Sequence, residues 1–158
     1  MDAATLRKLV WEDMLCADMR ANYFAELVGN YQRWDKWIRV GVLVASSGAV
    51  ATALSQLDVL FKLVAPILAT AGSFWLLMSH YGSLARDAAD LHAGWNEISR
   101  DYERLWNNLD VQDAETLYYR IYERGDVLSK TGTKFPNKTD RLEHWLDQAA
   151  RLASVRYA

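Results

Sequence analysis

The apolar positions of this chain change rhythm twice, and the changes divide it. From residue 3 to about residue 33, Leu6, Val10, Met14, Ala17, Ala21, Phe24, Val28 and Tyr31 recur every three or four positions. Arg7, Lys8, Glu12, Asp18 and Arg20 fall mainly between them. That period predicts one amphipathic helix over 3–33, uninterrupted by proline. The alternation then stops. No charged residue occurs between Arg39 and Asp58, and none between Lys62 and Arg86 apart from the charge His80 can carry. A helix of roughly 20 apolar residues, at about 1.5 Å per residue, crosses a bilayer core of about 30 Å. The two runs predict two spans, about 38–57 and 60–80, the first at the short end of the spanning range. Past them the helical rhythm returns. Tyr81, Leu84, Ala88, Leu91, Trp95, Ile98, Tyr102, Leu105 and Leu109 alternate spacings of three and four, about four heptads. A further helix is predicted over 113–129, with Leu117, Ile121 and Leu128 on one side. Residues 131–138 read as a loop from their Gly, Pro and Asn content. Asp140 followed by Glu143 predicts a capping box for a last helix, 141–153.

The predicted fold class is an all-α membrane protein. A two-helix transmembrane hairpin (37–80) stands between an N-terminal cytosolic helix (1–36) and a C-terminal cytosolic helical region (81–158), the cytosolic helices forming a bundle. The competing reading is a buried hairpin in a soluble bundle. Helix 81–109 is expected to pack antiparallel on helix 3–33, because the two match in length and stripe. An intersubunit coiled coil is the alternative, for which Trp95 and Tyr102 are bulky. Arg33, Trp34, Lys36, Trp37 and Arg39 directly precede the first run, as a membrane interface selects: indole suits the headgroup layer and long cations snorkel. Trp75 would lie at the same level on the second span. The basic residues flank the hairpin, with only Lys62 near its turn, so the positive-inside rule puts both termini in the cytoplasm.

At 100° per residue each span has two unlike faces. On the first, Gly41, Ala45, Gly48, Ala49 and Ala53 gather on a small-residue face, with Gly41, Ala45, Ala49 and Ala53 in a small-xxx-small row. Ala65, Ala69 and Gly72 do the same on the second. In lipid, close approach through small residues is a main source of helix association. The hydroxyls of Ser46, Thr52, Ser55, Thr70 and Ser73 are candidates for a wettable, uncharged path. Two helices cannot enclose a pore, so a path requires a homo-oligomer. Packing of the two helices on each other is the simpler use of the same faces.

Composition narrows the chemistry. The chain has 158 residues, enough for one domain, and a net charge of -2, which argues against a general polyanion binder and against sequence-specific nucleic-acid binding. The single cysteine, Cys16, excludes an internal disulfide framework and reads as a packed, inert thiol. His80, His92 and His144 lack metal-ligand spacing, and no GxSxG, P-loop or GxGxxG is present. No enzyme activity and no cofactor are expected. Tyr118, Tyr119 and Tyr122 could stack a base, and Lys134 with Lys138 could hold a phosphate. Amphipathic packing and a plain connecting loop are the favoured readings of these two features.

The stretch Tyr31-Gln-Arg-Trp-Asp-Lys-Trp-Ile38, the span with Ala45-Ser-Ser-Gly-Ala-Val50, and Tyr81 leading to Asp101-Tyr-Glu-Arg-Leu-Trp106 occur in that order. Over about residues 20–130 the arrangement resembles the SLATT family of bacterial two-transmembrane-helix effectors. The resemblance implies an oligomeric inner-membrane protein that forms a pore or disrupts the membrane in anti-phage abortive infection. It further implies an activating or inhibiting partner: a reverse transcriptase, a nucleotide-signalling enzyme or that enzyme's product. It carries over no catalytic residue. The alternative function is a passive membrane anchor that recruits a soluble partner.

Overall fold

A computed structural model describes residues 2–46 and 81–157. They form four helices and no strand: α1 (Ala3–Ser46), α2 (Tyr81–Trp106), α3 (Ala114–Gly132) and α4 (Thr139–Arg156). The chain divides into two compact units, residues 1–27 with 87–158, and residues 28–86.

The first unit is a bundle of four antiparallel-connected helices. The sequence stripe of α1 is its inner face: Leu6, Val10, Met14, Ala17, Ala21 and Phe24 are buried. Facing them, α2 buries Ala88, Leu91, Trp95, Ile98, Tyr102 and Leu105. The contacts fix direction. Trp11 meets Trp106 at 5.1 Å between ring centres, the Ser99 hydroxyl donates to Asp18, and His92 Nδ1 donates to the Ala21 carbonyl at 2.8 Å. Position falls on one helix as it rises on the other, so α1 and α2 pack antiparallel within one chain, as their matching stripes predict.

The pairs of α3 with α2 also run in opposite senses, from Gly125 beside Trp95 to Tyr118 beside Tyr102. Arg124 spans this seam, reaching Asp101 at 2.6 Å and Glu97 at 2.8 Å. Its inner face is Ala114, Tyr118, Ile121 and Gly125, spaced four, three and four. Of the predicted Leu117–Ile121–Leu128 side, Ile121 is buried and Leu128 half-buried against Gly94 of α2, whereas Leu117 is corrected. Leu117 is exposed, and Tyr118 takes the inward position because its hydroxyl donates to Asp13 of α1 at 2.8 Å. In α4, Ala149 and Ala153 are buried, the Trp145 indole donates to Glu26 at 2.9 Å, and the Tyr157 hydroxyl donates to Glu103 at 3.0 Å.

Two local expectations are corrected. The predicted capping box does not form: α4 begins at Thr139, and Lys138 at its cap position makes no side-chain cap hydrogen bond. Asp140 already lies in the first turn, where its charge meets the positive end of the helix dipole. Cys16 is exposed and not packed as expected. Its thiol is nevertheless held above its ordinary pKa, first by desolvation and then by the Asp13 carboxylate, which favours the unreactive protonated form.

In the second unit the described segments are 28–46 and 81–86. No break separates the predicted N-terminal helix from the predicted first span; α1 runs through 33–46 as one helix. Polarity changes there, but the backbone hydrogen bonding that defines a helix does not depend on side-chain polarity, and neither proline nor a glycine pair interrupts it. No helix among the described residues is long and apolar enough to cross a membrane. The second predicted span and most of the first, residues 47–80, lie outside the described residues.

Candidate membrane-interface segment

The sequence-designated residues that the structure describes sit on α1 between Arg33 and Ser46. The half-buried positions Tyr31, Asp35, Ile38 and Val42 are spaced four, three and four, a single stripe. At Tyr31 and Asp35 the stripe faces the start of α2 in the same unit. Tyr31 and Tyr81 lie 6.2 Å apart between ring centres, and the pro-Cβ position of Gly82 comes within 3.9 Å of Asp35 Oδ1 and 4.0 Å of Arg39 Nη2.

The exposed part of the circumference carries large apolar side chains with cations among them. Trp34 is 61 % exposed, Trp37 69 % and Leu43 70 %, with Val40 and Val44 exposed beside them. Lys36, Arg33 and Arg39 are exposed among the tryptophans. Trp34, Trp37, Gly41 and Val44 follow one another at spacings of three and four, so the exposed apolar residues form a face and not isolated points. A monomer in water seldom leaves contiguous indole, Val and Leu surface uncovered.

The two arginines are held differently. The Arg39 guanidinium forks onto Asp35, with Nε to Oδ2 at 2.8 Å and Nη2 to Oδ1 at 3.4 Å. Arg33 bonds within its own turn, Nε to the Gly29 carbonyl at 3.2 Å and Nη2 to Asn30 at 3.1 Å. The Asp35–Arg39 pair was legible as an i,i+4 spacing but is absent from the expected anchor set. Its effect is to neutralise one of the three cations and so to reduce the work of bringing this turn to a low-dielectric boundary.

Gly41 stands in the open: nothing among the described residues lies within 4 Å of where its Cβ would be. Ala45 and Ser46 belong to the helix. The remaining predicted packing residues, Gly48, Ala49, Ala53, Ala65, Ala69 and Gly72, lie outside the described residues, as do Thr52, Ser55, Thr70, Ser73 and Trp75.

Other sequence candidates resolve in the bundle. Tyr118 is buried, whereas Tyr119 and Tyr122 are exposed, so the three do not present one stacking platform. Lys134 pairs with Asp87 at 2.6 Å. Among the described residues no group of three His, Cys, Asp or Glu is placed to hold a metal ion. The chain matches no family model, no curated protein and no solved structure.

Proposed function

We propose that the chain is an oligomeric membrane effector. In this reading the 38–80 block inserts as a two-helix hairpin, and its small-residue faces associate copies into a pore or a disruptive assembly. A partner or signal, a nucleotide-signalling enzyme, its product or a reverse transcriptase, releases that activity, as in abortive infection. The bacterial inner membrane is the proposed site of action, with both termini cytoplasmic. The observation that carries the reading is the exposed Trp34–Trp37–Val40–Leu43–Val44 surface, on a helix continuous with a packed bundle and leading directly into an uncharged run. Lipid is the solvent that makes such a surface favourable, since each exposed indole and aliphatic group gains on leaving water. The empty flank of Gly41 supports association, because a second helix can approach its backbone closely there.

The test is membrane potential in cells induced to express the chain, with and without its neighbouring genes, followed with a potential-sensitive dye. Depolarisation in the triggered state is expected, and Gly41→Leu or Ala49→Leu should abolish it. Unchanged depolarisation in both variants would overturn the packing account. A passive anchor instead predicts no depolarisation under any trigger, and retained activity when an unrelated hairpin replaces 38–80.

A further inference from the structure

Among the described residues, Arg20 is the one lysine or arginine that is not exposed. It has no carboxylate at ion-pair distance there. Its guanidinium carbon lies 4.6 Å from the centre of the Trp95 ring, and Nη1 donates to the Ser129 hydroxyl. A half-buried cation satisfied only by a π-face and one hydroxyl retains unspent donors and uncompensated charge. The same spot contains a second unmet group. Trp95 is buried, and its Nε1 is the buried side-chain polar atom among the described residues that has no hydrogen-bond partner. Native cores seldom leave such a donor orphaned without a reason.

Both residues line a cavity of about 370 Å³ between α1, α2, α3 and the loop at 133–138. That volume is in the range of small-molecule sites. Its walls are apolar, with Met19, Phe24, Leu128, Phe135 and Leu142. Its polar groups include Arg20, the Ser129 and Thr133 hydroxyls and Asn137, and no carboxylate lines it. A neighbouring cavity of about 340 Å³ shares Arg20, Trp95 and Ser129 but includes Asp13 and Asp126, so its charge does not favour an anion.

The geometry points to a binding site in the 370 Å³ cavity for a small molecule that joins one anionic group to an apolar or aromatic body, the anion on Arg20 and the body against the Phe24–Phe135 pair, whose rings touch edge to face at 5.7 Å between centres. Each part of that description answers one observation. The uncompensated cation selects a negative charge and forms charge-assisted bonds with it. The aromatic and aliphatic walls select a ring or short chain in place of a free inorganic ion. The site lies wholly within the four-helix unit, so it stands independently of the membrane reading.

The test uses the full chain in nonionic detergent and titration calorimetry, with phenyl phosphate as the probe. Benzyl alcohol and inorganic phosphate are the controls for each half of the ligand. Saturable binding of phenyl phosphate is expected, with neither control binding at the same concentration. Arg20→Gln should weaken it at least tenfold. Because Arg20→Gln also removes the contact with Trp95 and Ser129, a second variant, Leu142→Trp, keeps both and narrows the cavity from α4; it should abolish binding while the helical signal and melting temperature stay near those of the parent. Absence of phenyl phosphate binding to the parent chain overturns the proposal. So does benzyl alcohol binding equally well, or phenyl phosphate binding that survives both variants.

Discussion

Alkaline pH should unfold the four-helix unit through its tyrosines. Tyr102 is 3 % exposed and Tyr118 is 5 % exposed, and both hydroxyls are pushed far above the ordinary tyrosine range. For Tyr102 the chief cause is burial, with the Asp13 carboxylate next. For Tyr118 burial comes first, then the hydrogen bond it donates to Asp13 and that carboxylate's charge. Raised folded-state values mean that the native protein retains these protons after the unfolded chain has lost them. The stability they secure is therefore complete below about pH 10, the ordinary tyrosine value, and declines as pH rises from there toward the folded values. Each tyrosine that stays protonated only in the native state removes about 1.4 kcal/mol per pH unit in that window, so the pair removes up to about 2.8 kcal/mol per unit. Against a total of about 5–15 kcal/mol for a domain, a few pH units suffice. Tyr23 and Tyr157 are raised too, each mainly by burial, and add in the same direction. Tyr118→Phe should cost about 1–3 kcal/mol at neutral pH by leaving Asp13 without this donor, and should make the alkaline decline shallower. Tyrosinate absorbance and helical circular dichroism, recorded together across the alkaline range, check this. Tyr102 and Tyr118 ionising at ordinary pH while the helices remain intact would refute the reasoning.

Three more outcomes follow from packing. Ile98→Ala empties one of the least exposed positions of the core and should cost about 2–5 kcal/mol in denaturant titration. Gly125→Ala should stabilise α3 by about 0.5–1 kcal/mol, because its Cβ would meet Trp95 at an ordinary 3.7 Å while the helix loses a glycine; a lower melting temperature would contradict it. Trp34→Ala with Trp37→Ala should leave detergent-solubilised stability within about 0.5 kcal/mol, since both rings are exposed, yet reduce partition into liposomes; an equal loss of both properties would mean the indoles pack on protein.

The bundle was legible in the sequence where burial follows a helical period. The α1 stripe from Leu6 to Phe24 and the α2 stripe from Ala88 to Leu105 are buried as their spacing implies. On α3 the predicted Ile121 is on the inner face, but Leu117 was chosen over Tyr118 because it is the more apolar, whereas Asp13, distant in sequence, gives Tyr118 the inward position. Capping residues mislead when a helix starts a residue before its best cap, as at Thr139 and Asp140. The anchor stretch was legible as composition, but its pairing of Arg39 with Asp35 and the open flank of Gly41 needed coordinates. Least legible was the Arg20–Trp95–Ser129 cluster. Its members sit on three helices, and neither periodicity nor motif spacing reports which side chains from distant segments meet.

The whole functional reading depends on where the largely apolar 38–80 block resides. Alkaline carbonate extraction of membranes from cells expressing the full chain addresses that directly. An integral hairpin stays in the membrane pellet after extraction and is released only by detergent. Recovery of the chain in the carbonate supernatant would contradict insertion and return the block to the interior of a soluble assembly.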